Sequence, residues 1–327
     1  TEDIVIKICK HALKITKKNN LCLAGGVALN CVANGKILKE KIFDNIWVQP
    51  AAGDAGGSLG AALALWHIEK GNKRYINPND DMSGSYLGPS YKQEEIEKEL
   101  KKLGANFKVL NYEDLINQTS EKISTGNAVG WFQGRMEFGP RALGARSILG
   151  DPRSEKMQKN LNLKVKYRES FRPFAPSVLK DDVSNWFELK TESPYMLLVA
   201  DVNSNKKIQM TEKEQKLFGI DKLNIKRSEI PAVTHVDYSA RIQTVSENTN
   251  KPYYDLIQKF KEKTGCPVIV NTSFNVRGEP IVNTPTDAFN CFMGTDLDNL
   301  VIGKCFLEKN QQNSSLKNDY SKEFELD

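Results

Sequence analysis

Between Val129 and Val178 the chain reads VGWFQGRMEFGPRALGARSILGDPRSEKMQKNLNLKVKYRESFRPFAPSV. The protein has 36 lysines but only 10 arginines, and six of those arginines (Arg135, Arg141, Arg146, Arg153, Arg168 and Arg172) fall between Gly134 and Pro176. Arg carries a rigid fork of donors that meets phosphate or carboxylate oxygens two at a time, whereas Lys is a mobile point charge. A merely solvated surface in so Lys-rich a chain would be built of Lys. With Lys156, Lys159, Lys164 and Lys166 set against Glu137, Asp151, Glu155 and Glu169, the window is +6, while the whole chain is +5. The chemistry these residues suit is the holding of a polyphosphate or phosphate ester. A solvated basic face or a non-specific nucleic-acid patch is the alternative. The arginines are interleaved with Gly, Pro and apolar residues, as in a shaped loop and not a free charged arm.

Three further stretches have the residue types of a site. In NLCLAGGVALN an apolar strand breaks at Gly25-Gly26, where a backbone without side chains approaches a ligand closely and the amides of the following helix favour an anion. A tight packing turn is the other reading of such a pair. In NIWVQPAAGDAGGSLGAALALW the second strand ends at Val48 and Asp54 heads a helix of small residues. Asp54 is either an N-cap or a ligand to a divalent cation at a strand end. The helix behind it has so little bulk that we expect something to pack very close. In VIVNTSFN a strand from Cys266 to Val270 sets Asn271, Thr272, Ser273 and Asn275 at its end, as ligand groups or as a polar turn.

The elements that position these stretches follow from length and periodicity. A chain of 327 residues with 39% hydrophobic and 27% charged residues predicts a globular α/β protein of two domains. No apolar run approaches the roughly 18 residues of a membrane span. Six cysteines without metal-ligand spacing predict reduced thiols and a cytoplasmic protein. Residues 3–18 have helical periodicity, and because Thr1 enters it directly we expect an N-terminally incomplete chain. Periodicity lapses after Lys70, so we place a first domain at 1–72, a linker at 73–84, a second domain at 85–307 and a mobile polar tail at 308–327. Within the second domain we expect helices at Gln93–Lys102 and Tyr112–Ser124, a strand in AVGWFQG, a helix at 154–163, and Arg141 and Arg146 converging from a bent loop and a helix start. Trp47, Trp66, Trp131 and Trp186 are expected in the core. Residues 202–230 read as a charged excursion.

The two N-terminal motifs resemble the second half of the actin-like ATPase domain in the tRNA threonylcarbamoyl-transferring enzymes and in the nodulation and antibiotic O-carbamoyltransferases. GRMEFGPRALGARSILGDPR, YRESFRPFAPSV and NTSFNVRGEPIV, in that order, resemble the C-terminal domain of those O-carbamoyltransferases, related in fold to the tRNA-modification protein that makes threonylcarbamoyl-adenylate. The resemblance runs over about residues 20–305. It implies the C-terminal half of an actin-like domain followed by an α/β adenylate-forming domain. It implies that carbamoyl phosphate and ATP give carbamoyl-adenylate with release of pyrophosphate and phosphate, and that the carbamoyl group then passes to a hydroxyl of a small-molecule acceptor. On this reading Arg135, Arg141, Arg146 and Arg172 meet phosphates; Lys164, Lys166 and Arg168 assist; Gly25, Gly26, Asn271, Ser273 and Asn275 bind nucleotide. Asp54 ligates a divalent metal, Fe or Mg, whose histidine partners belong to an absent first half, since His11, His67 and His235 form no paired-His motif. The rival is an RNA-binding module related to tRNA modification, against which stands the placement of the aromatics along the Arg segment, which are not spaced as a base-stacking platform needs. Nothing in the sequence fixes an oligomeric state.

Overall fold

The fold is taken from a computed structural model that describes residues 1–76, 80–317 and 320. The helix Glu2–Thr16 turns Ile6 and Cys9 inward and ends where Lys17 adopts a left-handed conformation. Strands β1 (Asn20–Leu23) and β2 (Asn45–Val48) pair in parallel, which requires a crossover connection. The helix Cys31–Lys39 supplies it, started by Asn30, whose side chain accepts from the Ala33 amide. After β2 the helix Asp54–Ala64 has no buried residue, and a Cβ on Gly57 or Gly60 would meet nothing. The expected close partner of that helix is therefore not supplied by the described residues, except at Gly56, which lies against the Ala51 carbonyl. Trp47 on β2 and Trp66 in the turn Leu65–Glu69 that continues this helix are exposed at 41% and 57% instead of lying in the core, because the described residues leave a face of the two-stranded sheet and of the helix uncovered.

The remaining strands form one mixed sheet. They are β3 (Lys108–Val109), β4 (Val129–Phe132), β5 (Arg146–Gly150), β6 (Ala175–Leu179), β7 (Leu198–Asp201), β8 (Ser239–Val245), β9 (Val268–Ser273), β10 (Asn299–Ile302) and β11 (Cys305–Glu308), in the order β3-β11-β10-β4-β5-β9-β6-β8-β7. The middle strands β4, β5 and β6 are buried along their whole length. That burial explains why RSILG shows no alternation: both faces of the strand are covered, so apolar periodicity is lost. Helices Tyr112–Ser124 and Lys251–Thr264 pack on each other and on this centre, while Gln93–Lys102 and Pro285–Gly294 cover β10 and its neighbours. The expected helix at 154–163 is a single α turn, Met157–Asn160, continued by a π turn, Leu161–Val165.

At the periphery, the expectation of a mobile tail is corrected. The polar tail is anchored through residue 317: Gln312 exchanges hydrogen bonds with Asn106, Lys309 Nζ donates to the carbonyls of Phe292 and Thr295, and the buried Tyr320 ring sits against Gly294. Residues 318, 319 and 321–327 lie outside the described residues. The excursion at 202–230 is pinned by the buried Arg227, whose guanidinium donates to five main-chain carbonyls, those of Lys222, Leu223, Ile225, Thr234 and His235.

The N-terminal unit docks on the edge of the large sheet. An apolar cluster at the junction takes Ala28, Val48 and Ala52 from one side and Leu143, Ala175 and Met196 from the other. The buried Asn34 donates to the carbonyls of Ala28 and Leu197 at 2.8 and 3.1 Å, stitching the helix Cys31–Lys39 to the chain entering β7. At the next residue, a Cβ at Gly35 would stand 2.2 Å from the Val199 carbonyl oxygen. Gly35→Ala is therefore expected to cost about 1–3 kcal/mol through forced displacement of the helix. Gly57→Ala, in open space, should leave the thermal midpoint unchanged or slightly raised. Thermal unfolding of the two variants side by side checks this.

Candidate functional site

Below the junction opens a cleft of about 340 Å³ between the GPRA loop, the segment around Arg172 and the end of β9. Four guanidinium groups line it, those of Arg141, Arg168, Arg172 and Arg241, together with Asn271, Thr272 and Ser273. Among the described residues lining it there is no Asp or Glu. Four like charges around one space repel each other, a cost that a bound polyanion would offset.

Each cation is placed by its own local structure. Gly139 (φ +140°) sits so near the turn after β2 that a Cβ would come within 2.8 Å of the Pro50 carbonyl oxygen. The loop that follows is tied down by Glu137, a buried carboxylate whose Oε1 accepts from the amides of Leu143, Ala145 and Arg146 at 2.6, 2.8 and 3.4 Å. Arg141, presented by that loop, donates from Nη2 to the Leu29 carbonyl at 3.3 Å, while its buried Nε has no partner. Arg168 is held by its Nε on Asn162 Oδ1 at 2.7 Å and lies over the Phe174 ring. Arg172 pairs through Nε with Glu169 at 3.0 Å.

Arg241 escaped the sequence reading. It stands on β8 in SARIQTV, where Ser239, Arg241 and Gln243 alternate with Ala240, Ile242 and Thr244, and the period of two gives it the same sheet face as Gln243. That alternation was the available signal. Arg241 Nε is buried without a partner, its side chain bonds Cys31, and burial, then repulsion from Arg141, pushes it down to about 10. Burial, then repulsion from Arg172, likewise brings Arg168 to about 10. Both remain cationic at neutral pH.

The sequence candidates divide clearly. Arg141, Arg168, Arg172, Asn271 and Ser273 share the cleft, as expected. Arg146 does not. It opens β5, is fully buried, stacks on Phe132 at 3.4 Å and gives its Nη groups to the carbonyls of Pro89, Gln133, Gly134 and Ala145, its Nε alone staying unpartnered, so it clamps the loop outside the lining of the cleft. Its expected convergence with Arg141 fails because a strand, not a helix start, begins there. Arg135 is exposed and donates to the Leu87 carbonyl at 2.8 Å, outside the lining. Lys164 is exposed and also lies outside it.

Lys166 is buried behind the cleft. Its Nζ donates to the Ser273 carbonyl and Oγ and to the Asn275 carbonyl and Oδ1, so it holds the NTSFN turn in shape. Asn275 completes the turn by donating to the Glu279 carbonyl at 2.6 Å. Burial, then repulsion from Arg168, pushes Lys166 down to about 7. A lysine so shifted is penalised while charged, so global stability should rise with pH between about 7 and the ordinary 10.5. Anion affinity has the opposite sign. Sulfate, a dianion throughout, should bind roughly two- to fivefold more weakly at pH 8.5 than at pH 6, and Lys166→Met should flatten that dependence in calorimetry.

Gly25 and Gly26 end β1. Gly25 takes φ +91°, a Cβ on either would meet nothing within 4 Å, and the turn they begin carries the Leu29 carbonyl that Arg141 holds. Asp54 is exposed in the first turn of its helix, with Gly53 at the cap position. No group of three or more His, Cys, Asp or Glu among the described residues fits a metal ion. His67 and His235 are occupied with the Asn72 carbonyl and Ser239 Oγ. Asp54 alone does not make a metal site.

Comparison with known proteins gives this arrangement a lineage. The profile described as Carbamoyltransferase C-terminus matches residues 120–309, and that described as Carbamoyltransferase N-terminus matches residues 1–63. An uncharacterized protein of Synechocystis sp. is 55% identical across 100% of this chain and 54% of its own length. Nodulation protein NolNO of Sinorhizobium fredii is 43% identical over 94% of this chain and 42% of its own, and nodulation protein NolO of Bradyrhizobium diazoefficiens 42% identical over 94% and 53%. The chain thus spans about half the length of these relatives. On the match to more than half of its residues, this α/β protein belongs to the carbamoyltransferase family.

Proposed function

We propose that the arginine cleft forms carbamoyl-adenylate from carbamoyl phosphate and ATP, and that the carbamoyl group then passes to a hydroxyl of a small-molecule acceptor. The observation that carries this reading is the lining itself: four guanidinium groups, no carboxylate, and two buried Nε donors, on Arg141 and Arg241, left without partners. Both substrates of the first step are polyanions, and their mutual repulsion must be offset before one can attack the other. Atom balance sets the order. Water releases inorganic phosphate from carbamoyl phosphate, the carbamate oxygen forms a bond to the α-phosphorus of ATP, and the α–β bridging P–O bond breaks with pyrophosphate leaving. Arg141 and Arg241 hold the charge that develops at phosphorus, Arg168 and Arg172 the departing phosphates, and Ser273 the reacting carboxylate.

Transfer would take place toward the Gly25-Gly26 turn, in the half of an actin-like domain that residues 1–72 represent. Asp54 would serve a divalent metal there only with ligands from outside the described residues. The test is isotope exchange: labelled pyrophosphate should enter ATP only when carbamoyl phosphate is present. Exchange without carbamoyl phosphate, or none with it, sinks the reading. Equal binding of RNA with and without ATP, weakening steeply with salt, would favour a nucleic-acid module instead.

A further inference from the structure

The cleft holds one unsatisfied acceptor as well as two unsatisfied donors. Asn271 lines it from β9, fully buried between Leu149 of β5 and Ala175 of β6 in the sheet register. Its Nδ2 donates to the Ala142 carbonyl at 3.2 Å, to Ser177 Oγ at 3.1 Å and to Gln243 Oε1 at 2.9 Å. Its Oδ1 has no partner. The orientation of the carboxamide is fixed by those neighbours. Turning it over would set Oδ1 against the Ala142 carbonyl and against Gln243 Oε1, neither of which can donate. Gln243 is itself locked, because its Oε1 accepts from Ser177 Oγ at 2.6 Å and its Nε2 donates to the Leu143 carbonyl at 2.8 Å. A buried acceptor kept unpaired by a rigid network carries its desolvation penalty unrelieved unless a ligand supplies the missing N–H.

The geometry points to Asn271 as the residue that selects the amide end of the donor, Oδ1 accepting an N–H from the carbamoyl group while the unpaired Nε–H groups of Arg141 and Arg241 meet its anionic oxygens. The unpaired inventory of the cleft, two cationic donors and one neutral acceptor, is the complement of an acyl phosphate whose acyl group bears an amine. An acetyl group of the same size has a methyl there and leaves Oδ1 unpaired. Asn271 is thus a specificity-determining residue within the site proposed above, and the assignment rests on that reading.

Calorimetric titration of the chain with carbamoyl phosphate and with acetyl phosphate separates the two claims. The unmodified protein should prefer carbamoyl phosphate by about tenfold or more. In Asn271→Leu that ratio should fall to near one, with acetyl phosphate affinity retained. In Asn271→Asp, which keeps an acceptor, both ligands weaken but the ratio survives. Equal weakening of both ligands in Asn271→Leu assigns the residue a structural role only and overturns the inference, as does a ratio near one in the unmodified protein. The ratio is internal to each protein, so loss of fold does not mimic it. Should neither acyl phosphate bind, or should Arg241→Met leave binding intact, the cleft reading itself fails; equal, Arg241-dependent binding of both overturns only the role of Asn271.

Discussion

Arg241→Met should lower carbamoyl-phosphate-dependent pyrophosphate exchange on the order of 10²–10³-fold, while the thermal midpoint stays level or rises. The two halves of that expectation have one cause. In the ligand-free protein Arg241 Nε is buried without a partner and the guanidinium faces Arg141. Its charge therefore costs stability until an anion arrives. Met keeps the apolar stem and removes both the charge and the orphaned donor, a change that is commonly neutral or stabilising at buried ionic positions. What is lost is the fixed cation at the reacting phosphorus. A thermal midpoint several degrees lower, with exchange intact, would mean that Arg241 is structural and the cleft is not organised around it.

Arg146→Met should show the reverse pattern at the level of folding. Here every contact is internal: the guanidinium lies on Phe132, donates to four carbonyls and faces the buried Glu137. Burial already raises the Glu137 carboxyl above its ordinary range, and Arg146 is among the groups that lower it again. Removing the guanidinium strips four carbonyls of a charged donor and withdraws a cation from the neighbourhood of the buried Glu137, a loss of roughly 3–5 kcal/mol. Thermal unfolding should register this directly, and activity should fall only in proportion to the folded fraction. If exchange collapsed at temperatures where the variant is fully folded, Arg146 would have to reach the ligand after all.

The contrast between these two arginines marks what the sequence displayed. Clustering of Arg in a Lys-rich chain pointed to the segment that supplies Arg141, Arg168 and Arg172 to the cleft, and Gly and Pro between the arginines pointed to its loop. Composition could not tell a guanidinium that faces a cleft from one that faces carbonyls. Arg146 and Arg141 are five residues apart in one motif, yet a strand begins at Arg146 and turns it into the core. Arg241 was invisible for the opposite reason. It stands alone, about 70 residues beyond the motif, and reaches the cleft because β8 runs parallel beside β6 in the large sheet. The helices with clear periodicity, Glu2–Thr16, Gln93–Lys102 and Tyr112–Ser124, were legible to within two residues. β5 and β6 were not, since strands buried on both faces have no alternation to read.

The place of Lys166 was not legible either. Near Arg168 and Arg172 in sequence it reads as one more phosphate contact, and in the ligand-free fold its buried nitrogen gives its hydrogen bonds to the Ser273–Asn275 turn. It shapes the wall that Ser273 presents. Glu137 belongs to the same category: an acid inside a basic motif, whose carboxylate gathers the amides that give the GPRA loop its form.

The central claim is that the cleft bounded by Arg141, Arg168, Arg172 and Arg241 is where the two polyanions meet. A crystal structure with carbamoyl phosphate and a non-hydrolysable ATP analogue tests it most directly. The account predicts phosphoryl oxygens within hydrogen-bond distance of the Nε atoms of Arg141 and Arg241, with the nucleotide on the β9 side toward Ser273. Both ligands bound elsewhere, with those two nitrogens still unpaired, would contradict it.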